Sequence, residues 1–181
     1  FLMNHFHSLP DRLHAQLDNR WDRIHSRILD QCGPAAGREP NFIAVDFIDQ
    51  GDVLAYVEWR NNGGLTAYEG DGARQSVVCG FSTAIARSWN LRQQEGRLGC
   101  ENDEMRSLKI RGVKKGQRIT FYDRADGGRD DDFGVLNIDR DIPWDSPVVL
   151  NTLDSVQYRP AFRYLYSGGT GLAGQVCHIR V

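Results

Sequence analysis

The first sixty residues read as strand, helix, strand, helix, and this pattern restricts the fold more than any other feature of the chain. Asn41-Phe42-Ile43-Ala44-Val45-Asp46-Phe47 is apolar almost throughout, as expected of a strand covered on both faces in a parallel sheet. Phe1–Phe6 reads as the strand before it. Between them, Ser8-Leu9-Pro10-Asp11 carries helix-start signals: a Ser cap, a proline in the first turn and an acid three residues on. Leu13, Leu17, Trp21, Ile24 and Ile28 recur at helical spacing and predict one buried stripe, ended by Gly33-Pro34. Gly51-Asp52 opens a second helix, from Val53 to about Arg60. Two parallel strands and two helices cannot cover both faces of their own sheet, so apolar faces and strand edges would meet water. Residues 1–62 are therefore expected to be the C-terminal βαβα part of a larger (β/α) barrel. The alternative is a small α+β domain whose strands pack against the segment that follows.

The grammar changes at Asn61-Asn62-Gly63-Gly64. Beyond it, strands are predicted over 65–68, 75–79, 84–91, 105–110, 118–122, 133–138, 147–153, 161–166 and 175–181. Gly70-Asp71-Gly72, Lys115-Gly116, Asp126-Gly127-Gly128 and Gly168-Gly169 supply turns. Many short strands with frequent turns predict an antiparallel β-sandwich or Greek-key domain over 63–181. The fold class is thus α/β followed by all-β.

Lys+Arg 22 against Asp+Glu 24 gives a net charge of −2, which excludes a general polyanion binder and a nucleic-acid partner. No apolar run reaches the length of a membrane-spanning helix. The opening Phe1-Leu2-Met3-Asn4-His5 lacks the basic and apolar regions of a signal peptide, as in a mature product, a fragment or a cytosolic chain. Cys32, Cys79, Cys100 and Cys177 contain no CxxC pair. Their even number and wide spread predict two disulfides and a secreted protein, against the alternative of four buried thiols.

In a parallel barrel, reactive groups gather at the C-terminal ends of strands. That selects Asn4, His5 and His7 after the first strand, and Asp46 and Asp49 after the second. Asp46, set in an apolar strand, needs a partner. A histidine would make it part of an acid–base pair, whereas backbone N–H groups or an arginine would make it structural. His5-x-His7 is also a two-ligand metal spacing lacking a third ligand. His14, His25 and His178 read as structural or surface residues. Arg129-Asp130-Asp131-Asp132 reads as a solvated acidic turn, with a hard-cation site as the alternative. Among the aromatics, Trp89, Trp144, Tyr158 and Tyr164 are the ones that exposure would make lipid or sugar contacts.

Residues Arg38 to Val53, with Asp46 in Phe42-Ile43-Ala44-Val45-Asp46-Phe47-Ile48-Asp49, resemble the last strand and helix of the phosphatidylinositol-specific phospholipase C X-type barrel. Asn4-His5-Phe6 resembles the preceding strand. The resemblance implies phosphodiester cleavage by general acid–base catalysis, with the inositol 2-hydroxyl attacking phosphorus. It implies that Asp46 orients a catalytic histidine and that His5 lines the barrel mouth. It also implies a phosphoinositide lipid or membrane surface as partner. The family's two proton-transferring histidines belong to early strands, so the rest of the barrel, from the same precursor or a second chain, is an implied partner as well. In the second half, Glu101-Asn102-Asp103-Glu104-Met105-Arg106-Ser107 and the segment from Gln117 to Gly128 are similar to a βγ-crystallin-type Greek-key motif. That similarity implies calcium as the only cofactor, with Asn102, Asp103 and Ser107 as ligands. Arg106 stands where a ligating hydroxyl belongs, and its charge opposes a dication. The two function classes left are a secreted phospholipase C-like phosphodiesterase with a β accessory domain, and a non-catalytic lectin-like or calcium-binding module on a vestigial barrel piece.

Overall fold

The structure is a computed structural model and describes residues 1–9, 11–92 and 100–181. It is 35% strand and 19% helix, so the expectation of a mixed, sheet-rich chain holds.

The first strand, β1 (Leu2–His5), pairs in parallel with β2 (Phe42–Val45), Leu2 opposite Phe42 and His5 opposite Val45. Neither has another neighbour among the described residues. The predicted single helix is broken. It forms α1 (Arg12–Asp18), α2 (Trp21–Ser26), a π-helical turn (Arg27–Cys32) and α3 (Gly33–Ala36), closed by Gly37 at φ +63°. The cap of α1 is Asp11, whose carboxylate accepts from the Leu13 N–H, and not Ser8; Pro10 lies outside the described residues. The break falls at Asn19-Arg20. Asn19 is buried, and its amide donates to the carbonyls of Asp46 (2.9 Å) and Gln50 (3.2 Å), while its own carbonyl accepts from the Asp52 N–H (2.7 Å). The side chain is committed to the loop after β2, so the helix cannot run straight through it. The 4-4-3-4 stripe is cut as a result: Trp21, Ile24 and Ile28 are buried, but Leu13 is 74% and Leu17 59% exposed.

Helix α4 (Val53–Asn62) starts where the sequence predicts. Its preceding residue, Asp52, caps a different helix: Asp52 Oδ2 accepts from the Trp21 N–H at 3.1 Å, at the start of α2. Met3, Trp21, Ile24, Ile28, Val53, Tyr56 and Trp59 form one apolar cluster, onto which Val77 and Trp144 of the following segment pack. The helices, not the strands, make that junction. Strand β2 is not covered on both faces: Phe42 is 71% exposed and the other three residues are only half-buried.

From residue 64 onward there are two antiparallel sheets. One has the order β4 (Arg74–Ser82), β3 (Gly64–Gly70), β6 (Ser107–Arg111), β9 (Val148–Leu150). The other runs β10 (Gln157–Arg159), β11 (Phe162–Ser167), β8 (Phe133–Ile138), β7 (Arg118–Tyr122), β12 (His178–Arg180), β5 (Ser88–Asn90). Leu65, Phe81, Leu108 and Ile110 of the first sheet share one core with Ile119, Phe121, Leu136, Phe162 and Ile179 of the second. Strands β7 and β8 have the predicted bounds, and β10 has no predicted counterpart. Trp89 and Tyr164 are core residues and Trp144 belongs to the junction, so of the four selected aromatics only Tyr158 is exposed. Cys79 and Cys100 form a disulfide, while Cys32 and Cys177 are free thiols; the expected second bridge is absent.

Candidate functional site

The C-terminal ends of β1 and β2 open onto a narrow cleft at the start of α1, with a free volume of about 10 Å³, room for about one water. His5, His7, Asp11, Asp18, Asn19 and Asp46 line it, so the two residues selected from the sequence, His5 and Asp46, do meet at one place. They are not bonded to each other. His5 Nε2 lies 2.6 Å from the Asp18 carbonyl. A carbonyl only accepts, so Nε2 carries the proton and Nδ1 is bare. That Nδ1 is enclosed and has no hydrogen-bond partner among the described residues. Burial pushes the His5 pKa down, against the opposing pull of the bond to Asp18, and His5 is neutral at pH 7.

The Asp46 carboxylate is half-buried and makes no hydrogen bond or ion pair among the described residues; only its backbone carbonyl is engaged, by Asn19. The next residue, Phe47, has φ +48°, a left-handed conformation that an aromatic side chain adopts only when its surroundings hold it. Arg12 supplies part of that hold. Its guanidinium lies 5.3 Å from the Phe47 ring centroid and 2.5 Å from Asp49 Oδ2, tying α1 to the loop after β2.

The histidine–carboxylate pairs are formed by other residues. His7 Nε2 is 2.6 Å from Asp18 Oδ2, and His14 Nδ1 is 2.6 Å from Asp11 Oδ2, with the two imidazole rings 5.5 Å apart. Both histidines are exposed, and of the two only His7 lines the cleft. Asp11 is held below the usual carboxylate range by the Leu13 N–H first and by His14 second. His7 lies at the selected strand end, and His14, which reads as a structural or surface residue, is exposed and paired with Asp11. The signal for His14 was Asp11, three residues earlier on the same helical face.

The Asn102, Asp103 and Ser107 set is less coherent. Ser107 is buried in β6, its Oγ donating to the Gly70 carbonyl (2.5 Å) and accepting from the Ala73 N–H (2.9 Å). Asp103 Oδ1 accepts from the Cys177 thiol at 3.3 Å. Asn102 Oδ1 is enclosed without a hydrogen-bond partner among the described residues. Among the described residues no group of three or more His, Cys, Asp or Glu side chains is arranged to hold a metal ion. The acidic run is structural in part: Arg124 pairs with Asp126 and Asp130, and Asp132 is buried as an anchor for the turn 168–171. No helix among the described residues is long and apolar enough to cross a membrane.

Neither a family model, nor a curated protein, nor a solved structure matches the chain.

Proposed function

We propose that residues 1–62 are the closing βαβα segment of a phospholipase C-like (β/α) barrel in a secreted phosphatidylinositol-type phosphodiesterase. Residues 63–181 are then an accessory β-sandwich serving targeting or stability. The observation that carries the reading is the parallel pair itself. It has no further strand on either edge among the described residues, and its C-terminal ends carry the histidine–carboxylate cluster. Ten of the fourteen exposed large apolar side chains among the described residues lie in residues 1–62, Leu2, Phe6, Phe42 and Ile48 among them. Burying such a side chain is favourable by about 1.5–3 kcal/mol, so this segment gains from further structure laid over it. The disulfide accords with an oxidising compartment. On this reading His7, held by Asp18, moves the proton, and Asp46 faces the histidines contributed by the remaining strands.

The test is phosphatidylinositol hydrolysis by the native protein, whose intact mass is measured with and without reductant. A longer polypeptide or a second chain is expected, with activity lost in Asp46→Asn and His7→Gln variants that remain folded. Undiminished turnover in Asp46→Asn removes that residue from the mechanism, and a native mass of 20.5 kDa with no partner removes the barrel.

A second reading, a non-catalytic calcium-binding or lectin-like module, is favoured by one observation: Asn102 Oδ1, unpartnered among the described residues, beside Asp103, whose φ is +63°. Calcium titration by calorimetry, with Asn102→Ala and Asp103→Ala as controls, tests it. A silent titration removes the metal version.

A further inference from the structure

The outward face of the six-stranded sheet carries a shallow groove of about 470 Å³ that the barrel reading does not use. Arg118 stands opposite Asn137, and Asn137 opposite Arg163, so the three share one row across β7, β8 and β11 and point to the same side. Adjacent strands lie about 4.8 Å apart, which sets the Arg118 and Arg163 backbones roughly 10 Å apart. Arg129 joins them at the rim, stacked 5.3 Å from the Phe133 ring centroid. Phe133, Val135 and Leu165 form an apolar floor, with Leu165 42% exposed.

Three features distinguish this face from ordinary surface. No Asp or Glu lines the groove, although the chain as a whole is net negative. Arg118 has no ion pair or hydrogen bond among the described residues, and Arg129 has only its ring contact. Arg163 is gripped by Asp139 through Nε (2.9 Å) and Nη2 (3.0 Å), which fixes the guanidinium and leaves Nη1 free. Cations gathered on one sheet face repel one another unless an anion joins them. Arg118 offers a whole guanidinium fork to a tetrahedral oxyanion, and Arg163, one side of which is filled by Asp139, offers its Nη1 to a second. Between them the Asn137 amide, unbonded among the described residues, can meet a hydroxyl, and the apolar floor can meet the flat of a ring.

We propose that this groove binds a ring polyol bearing two or more phosphate or sulfate groups, with the arginines on the oxyanions and the Phe133–Val135–Leu165 floor under the ring. The proposal is independent of the barrel. A lipid headgroup and a free ligand share that chemistry, so the test has an arm for each. Sucrose octasulfate is titrated calorimetrically into the full chain. Vesicles of phosphatidylcholine, with and without phosphatidylinositol 4,5-bisphosphate, are tested by co-sedimentation. Saturable binding is expected, weakened at least tenfold in Arg118→Gln/Arg163→Gln and unchanged in Arg124→Gln, whose guanidinium is already shared by Asp126 and Asp130. Octasulfate binding alone supports the site with a free ligand, and additional arginine-dependent binding to the phosphoinositide vesicles supports it with a headgroup. Failure of octasulfate to bind, binding that survives in the double variant, or inorganic sulfate binding equally well overturns the proposal. Thermal midpoints of the variants, matched to that of the parent, exclude unfolding as the cause.

Discussion

Trp21 of α2 lies so close to the backbone of Gly80 in β4 that a Cβ at Gly80 would meet Trp21 Cζ2 at 2.1 Å. This contact seals the junction between the helical segment and the sheets. Trp21 stacks edge-on against Trp59 (4.9 Å) and Tyr56 (5.2 Å), and Trp59 against Trp144 (5.1 Å), between Arg60 and Arg111. Gly80→Ala is therefore expected to destabilise the protein by about 2–3 kcal/mol through overpacking. Urea unfolding followed by tryptophan fluorescence measures it. An unchanged midpoint would mean that Trp21 is not held there.

Two ionisable groups in the helical segment, buried Asp52 and half-buried His25, oppose each other in pH dependence. Burial raises Asp52 to about 6, so the folded state holds that proton above the unfolded pKa. Its contribution is greatest below about pH 4 and is lost as pH rises through 6. Burial first, and then the Arg111 and Arg60 charges, lower His25 to about 4. Its contribution is present above pH 6.5 and is lost as pH falls toward 4. Each shift amounts to about 3 kcal/mol at most. The two slopes nearly cancel between pH 4 and 6. Asp52→Asn should leave stability rising steeply with pH through that window, and His25→Gln should leave it falling. Chemical unfolding at half-unit pH intervals separates them, and parallel profiles for the two variants would contradict the assignment.

The Cys79–Cys100 bridge closes a loop with a sequence separation of 21. Its removal in Cys79→Ala/Cys100→Ala is expected to lower stability by about 3 kcal/mol. Thiol titration of the denatured protein should find two thiols before reduction and four after. In the native state Cys177 should react slowly, because burial pushes its pKa up to about 11. Zero thiols before reduction would restore the second bridge expected from composition.

Asp132 holds the turn 168–171 almost alone. Its carboxylate accepts from the N–H groups of Gly169, Thr170 and Gly171 and from the hydroxyls of Thr170 and Tyr166. Burial pushes this carboxyl up, but those bonds outweigh it and hold the pKa below its ordinary value. Its stabilisation is therefore present above about pH 4 and lost on acidification. Asp132→Ala should cost about 3 kcal/mol or more, and amide exchange at Gly169–Gly171 should accelerate. Exchange at the parent rate would show that the turn holds without it.

Much of the architecture is legible locally. The alternation of Ile119 and Phe121 marks β7 because a strand's period of two is a property of adjacent residues. The start of α4 at Val53 and the change of grammar at Gly63-Gly64 follow from local turn chemistry in the same way. The candidate site is less legible. Asp46 could be read toward a histidine or toward backbone N–H groups and an arginine; in the fold its carboxylate has neither among the described residues, while His7 meets Asp18 and His14 meets Asp11. The break at Asn19 decided this. It turns α1 so that Asp11 and Asp18 face the ends of the strands, and it strands Leu13 and Leu17 in solvent, where a continuous stripe would have buried them.

The order and type of most segments after residue 63 were set by residues close together in the chain. Polarity and backbone preference act over a few residues, and they are written in them. Which acid meets which histidine, which cysteines join and which arginines share one sheet face was settled only when distant segments packed. Those outcomes depend on distances in space, which a break at a single buried asparagine can redirect.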